Sequence, residues 1–201
     1  MRTTDNILKR SALATHVIRA FAQELGAGTE LASALWSTKV LEARILATMI
    51  ADPLRITDEE VERWVREFDG WPVCDSACIV LFSKTPFAWR KVREWSHRKP
   101  EFERCAVLLA ALAVHDKAAA DGQFRSTFLL IWRAAGDKRY FVKKAVNWAL
   151  HQIGKRNDAL REAAIAAAQS LVATQSRSAR WIGRDTLSKL RPEIPSDPTM
   201  S

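Results

Sequence analysis

Apolar residues recur along nearly the whole chain at three- and four-residue intervals, and no stretch alternates one by one as a strand does. That period predicts helices over roughly 15–25, 29–36, 39–51, 58–68, 72–83, 87–96, 100–118, 122–135, 139–155, 158–173 and 178–190. Thr57-Asp58-Glu59-Glu60 reads as a capping box, in which hydroxyl and carboxylate satisfy backbone N–H groups left free at a helix start. Thr15, Thr29 and Asn157 or Asp158 are further candidate N-caps, Pro72 suits a first helical position, and Gly26, Gly70 and Gly154 stand near helix ends. Met1–Ala14 is expected to form a short, poorly ordered N-terminal segment. Pro192, Pro195 and Pro198 make 192–201 an expected disordered tail.

Eleven helices with short links fit a bundle or a stack of helical repeats. A basic residue ahead of an apolar turn recurs at Arg104, Lys144 and Arg184, a 40-residue spacing within the range of HEAT and armadillo repeats. The expected fold is therefore all-α, an α-α superhelix (solenoid) of HEAT-like repeats over residues 15–191. Such a stack closes its own core, so a monomer is expected.

Composition agrees: 48% of the 201 residues are apolar, with only seven Gly and seven Pro. No run approaches the ~20 apolar residues that span a bilayer. The start M-R-T-T-D-N-I-L-K-R lacks the apolar centre of a signal peptide. An odd set of cysteines (Cys74, Cys78, Cys105) suits a reducing compartment, and a bacterial cytoplasm or nucleoid location is expected. Cys74 and Cys78 could in principle share a metal, but no second Cys or His pair lies nearby, so they read as buried thiols and no metal or other cofactor is expected.

Charge changes the picture more. Residues 1–70 sum to −2 and residues 71–201 to +10. An excess of that size points to a polyanion, and nucleic acid is the commonest. The scattered histidines form no H-E-x-x-H motif, and there is neither a phosphate loop nor a Gly-x-Ser-x-Gly turn. Of the eight tryptophans, Trp36, Trp64, Trp89, Trp95 and Trp132 fall at core spacings. Trp71, Trp148 and Trp181 stand nearest to polar or charged neighbours. Trp71 and Asp75 are four apart, hence on one helix face that continues through Cys78, Ile79 and Phe82. A carboxylate there needs a cation or a use, and Arg104 is the candidate cation. Spacing leaves a catalytic pair and a structural ion pair equally open.

Several segments, in order, resemble the DNA alkylation repair glycosylases of the AlkD type, which are built from HEAT-like repeats. L-A-S-A-L-W-S-T-K-V-L-E-A-R-I-L-A (31–47) is similar to that family's L-W-x-[ST]-x-x-x-E-x-[RQ], and Trp71-x-x-x-Asp75 to its W-x-x-x-D. E-R-C-A-V-L (103–108) resembles R-[RT]-A-x-[IV]-L, and F-V-K-K-A-V-N-W-A-L-H-Q-I-G-K (141–155) resembles V-x-K-A-[IV]-x-W-x-L-R-E-x-x-K. The chain departs from the pattern at Pro72, Val73 and Cys74, where the family has polar or acidic residues, and at His151, where it usually has Arg.

The resemblance implies a DNA glycosylase that removes purines alkylated at N3 or N7 from double-stranded DNA and leaves an abasic site. It assigns the catalytic carboxylate to Asp75, the lesion-flanking tryptophans to Trp71 and Trp148, and the active-site arginine to Arg104. Lys143, Lys144, Lys155, Arg156, Arg180 and Arg184 are then the expected phosphate contacts. Two alternatives stay open at the level of sequence: a non-catalytic binder of damaged or branched DNA, and a protein-interaction scaffold.

Overall fold

The computed structural model describes residues 15–102 and 106–190. The expected N-terminal segment, the proline-rich tail, Arg104 and Cys105 lie outside the described residues. Eleven helices run through the described chain, with no strand among these residues. They are α1 (15–25), α2 (Thr29–Ser37), α3 (Leu41–Ile50), α4 (Asp58–Arg66), α5 (Trp71–Ser76), α6 (Ala88–Trp95), α7 (Ala106–His115), α8 (Asp121–Ala135), α9 (Tyr140–Gly154), α10 (Asp158–Val172) and α11 (Arg177–Leu190). The chain divides into two compact units, residues 1–108 and 109–201.

Aromatic rings form the heart of the first unit. Trp36 of α2 and Trp64 of α4 are fully buried and stack in parallel with centroids 4.1 Å apart. Phe82 continues the cluster to Trp95 at 5.8 Å. Two of the tryptophan N–H groups find carboxylates, Trp36 Nε1 donating to Glu67 at 2.8 Å and Trp95 Nε1 to Glu62 at 2.8 Å, while the buried Nε1 of Trp64 has no partner among the described residues. Around this cluster lie two buried cations. Arg44 donates to the carbonyls of Trp36 and Glu67, and Lys91 to the carboxylates of Asp58, Glu62 and Glu94. Partial burial pushes the Glu62 carboxyl upward, but its bonds to Lys91, Arg98 and Trp95 outweigh that and hold it at about 2. The Thr57–Glu60 capping box that starts α4 is present in both directions.

Small residues shape the second unit. Gly183 of α11 lies so close to α10 that a Cβ there would stand 2.5 Å from the Ala168 carbonyl oxygen. Gly154 at the end of α9 makes room in the same way for Leu190 and Ala164. Asn157 caps α10 by accepting from the Leu160 N–H at 2.9 Å, while its amide donates to Asp121. Thr29, by contrast, is the first residue of α2, whose N-cap is Gly28.

Two tryptophans sit differently from their expected core places. Trp132 on α8 is 55% exposed, and Trp89 on α6 is only half-buried. Spacing names the helix face a residue shares, but α8 covers that face with Phe124, Thr127, Ile131 and Ala134 and leaves Trp132 beyond its edge.

Candidate functional site

Residues 72–83 do not continue as one α-helix. Six α-helical residues are followed by a π turn over Ala77–Leu81 and a 3₁₀ turn over Phe82–Lys84. The physical reason lies in the burial pattern. Val73-Cys74, Ala77-Cys78 and Leu81-Phe82 are all fully buried, which is a strict four-residue period. An α-helix advances about 100° per residue, so a row spaced by four drifts round its surface. The i→i+5 bonds of a π turn wind more slowly and hold that row against the core. Gly70 serves as extended N-cap and Pro72 occupies the first turn.

Trp71, Asp75 and Ile79 repeat at the same interval beside the buried row, and all three are half-exposed. Asp75 thus stands on a rim between core and solvent. Burial pushes its carboxyl up to about 6, with the neighbouring Cys74 adding to the shift. Among the described residues Asp75 has no hydrogen-bonded or ion-paired cation. Beneath it Ser76 and Thr48 share a hydrogen bond at 2.6 Å, and the Cys74 thiol donates to the Phe102 carbonyl at 3.7 Å, which fixes the helix to its surroundings. Both Cys74 and Cys78 are buried. No group of three His, Cys, Asp or Glu able to hold a metal occurs among the described residues.

Trp148 is half-exposed on α9 of the second unit. Of the expected phosphate contacts, Lys144, Lys155 and Arg184 are exposed, and Lys143 and Arg180 are half-exposed. Arg156 is differently employed. Its guanidinium donates to the carbonyls of Ala113 and Ala119 at 2.9 and 3.3 Å and lies 4.3 Å over the Phe124 ring, so it ties helix ends together and is not a free phosphate ligand. That use depends on contacts to residues 43 and 37 positions away, which local spacing does not reveal.

His151, at the family's usual Arg position, is buried with Nε2 3.3 Å from Asp185. Burial first, and then the charge of Lys189, lower its pKa to about 4, so the ring is neutral at pH 7. Asp185 accepts from Asn147 at 2.7 Å and Lys189 at 2.9 Å, and these bonds outweigh the effect of burial and keep it ionised. Tyr140, the one tyrosine of the chain, was not among the expected site residues. It is 58% exposed and shares both Lys143 and Lys144 with Trp181. The signal available in sequence was a lone tyrosine one turn before a Lys-Lys pair.

Comparison with known proteins bears on the fold and the family. No curated protein sequence matches the chain. A solved structure superposes with a TM-score of 0.70 at 17% identity, over 88% of this chain and 81% of the other. That protein is described as one of a new family related to the HEAT-like repeat DNA glycosylases with affinity for branched DNA structures. The likeness establishes the HEAT-like all-α fold. The family profile for DNA alkylation repair enzymes matches residues 6–190, nearly the whole chain. The chain belongs to the DNA alkylation repair enzyme family.

Proposed function

We propose that the chain binds duplex DNA and hydrolyses the N-glycosidic bond of purines carrying a cationic N3 or N7 alkyl group. The observation behind this reading is the rim formed by Trp71 and Asp75, where a half-buried carboxylate meets solvent with no counter-cation among the described residues. An alkylated, cationic purine already leaves readily. As the bond breaks, its electron pair stays with the purine, which becomes neutral, and positive charge develops on the deoxyribose. An ionised Asp75 stabilises that charge, and the incompletely solvated carboxylate favours a cation more than a fully hydrated one does. Water then adds at the sugar carbon and its proton passes to Asp75 or to solvent. Trp71, one turn before Asp75, offers an aromatic face to the same cation. Trp148 and Arg104 enter this reading through the family motif alone.

Lys143, Lys144, Lys155, Arg180 and Arg184 supply phosphate contacts, and affinity then falls by about 0.9 log units per log unit of salt for each phosphate neutralised. The test is single-turnover release of 7-methylguanine from a duplex oligonucleotide. Wild type releases the base and Asp75→Asn loses tenfold or more. The rate also rises with pH through about 6, as the carboxyl ionises, and is level above that. A second reading, DNA binding without excision, is favoured by the described affinity of the structural neighbour for branched DNA. Salt-sensitive binding with no base release from either protein selects it.

A further inference from the structure

Tyr140 and Trp181 are the most exposed aromatic side chains of α9 and α11, 58% and 36% exposed. Lys143 Nζ lies 4.7 Å from the Trp181 ring centre and 5.9 Å from that of Tyr140, and Lys144 Nζ lies 5.9 Å from both. Neither lysine forms an ion pair among the described residues. The carboxylate of Asp185 on α11 is already taken by Asn147 and Lys189. Arg184 adds an exposed cation one turn beyond Trp181. The surface thus combines two exposed aromatic rings with cations that no anion among the described residues neutralises.

That combination matches one nucleic-acid form better than another. A duplex offers phosphates, but its bases are stacked on one another and have no free π-face for a ring. An unpaired strand offers both, and aromatic side chains flanked by cations are the general means of holding it. The exposed cation–π contacts that now hold the lysines are weak, so a base takes the ring and the ammonium moves to the adjoining phosphate. We infer that the Tyr140–Trp181 surface binds an unpaired segment of DNA, such as a flap, gap or fork arm, by stacking a base against its rings while Lys143 and Lys144 hold the neighbouring phosphates. The inference rests on the DNA-binding half of the proposed function and is independent of excision by Asp75.

The experiment measures fluorescence anisotropy of the full chain with three labelled probes at one salt concentration. These are a blunt duplex, the same duplex with an unpaired oligothymidine arm, and that duplex with an arm of abasic spacers. Wild type is expected to prefer the thymidine arm. Trp181→Ala loses about tenfold on that probe, within the range for one stacked base, and changes by less than about twofold on the blunt duplex. Trp181→Phe keeps most of the affinity, which separates loss of the ring from loss of the fold. Lys143→Gln and Lys144→Gln weaken both armed probes and reduce the salt dependence. Equal binding of the thymidine and abasic arms by wild type would overturn the inference, as would a Trp181→Ala loss that is zero or the same on all three probes. Base release by wild type and Asp75→Asn is read in a separate assay, so a failure of excision leaves this outcome intact.

Discussion

The two units solve the burial of polar groups in opposite ways. In the first, large aromatic rings and buried cations share one core: Arg44 and Lys91 are each 3% or less exposed, and each is ringed by acceptors. These two cations face inward and are satisfied there. In the second, helices approach through Gly154 and Gly183, and the lysines and arginines of α9 and α11 point outward, several with no protein partner among the described residues. The net charge divides in the same sense, +1 over residues 1–108 and +7 over residues 109–201. A cation neutralised inside a core stabilises the fold, whereas one left open at the surface remains available to a ligand. Counting lysines and arginines does not separate these uses.

The strongest way to break the contrast is to remove one inward cation. Lys91→Ala takes the buried cation from between Asp58 and Glu62, leaving them the more exposed Arg90 and Arg98, and should destabilise the protein by about 3 kcal/mol, read from denaturant unfolding. Lys144→Ala, at an exposed site, should change stability by less than about 0.5 kcal/mol. Next in size is Gly183→Ala. Alanine favours helix by up to about 1 kcal/mol over glycine, yet here its Cβ would meet the backbone of Ala168 and Val172. A net loss of about 2 kcal/mol is expected, reported by the melting temperature.

A smaller effect carries the opposite sign. Asp75 binds its proton more tightly in the folded chain than its ordinary value of 3.8 allows, so its ionisation opposes folding as pH rises through that value to about 6. Asp75→Asn should therefore stabilise the protein at pH 7.5 by about 1 kcal/mol, the full shift being discounted for the solvent-facing side. The gain should vanish below pH 4. A variant that is more stable and less active marks a carboxylate kept for chemistry.

The last prediction separates the units by acid. His151 is held neutral, so stability in the second unit is complete above pH 6.5 and declines as pH falls toward about 4. The Glu62 network starts to weaken only below 4.5 and is lost near 2. Between pH 6.5 and 4.5 the first unit also gains from protonation of Asp75. Hydrogen exchange, corrected for intrinsic rates, should show amide protection in α9 and α11 falling relative to α4 and α6 when pH drops from 7.5 to 5. Equal change in both units would remove His151 from this role.

Much of the fold was legible in the chain because helix periods and helix starts are local. The Thr57–Glu60 box, the Asn157 cap and Pro72 in a first turn each act within a few residues. The family motif around Trp71 and Asp75 was legible for the same reason. What was not legible depends on partners far along the chain. Arg156 looks like a surface cation until Ala113 and Ala119 are brought to it, and Tyr140 gains meaning only beside Trp181. The π turn is an intermediate case. Its four-residue apolar period was written in 73–82, but a reading tuned to 3.6 residues per turn smooths it into a continuous helix.

That π turn makes chain length a determinant of the site in its own right. Deleting one residue within Ala77–Leu81 would let ordinary α-helical winding resume. Each residue counts for about 100° of rotation, so Leu81 and Phe82 would stay in the core only if the segment before them turned by roughly that angle. Trp71 and Asp75 would then keep their identities and their spacing while facing elsewhere. Relatives that share the W-x-x-x-D letters but differ by a single residue in the following stretch would carry the same side chains on a rim aimed in another direction, and a motif search would score them alike.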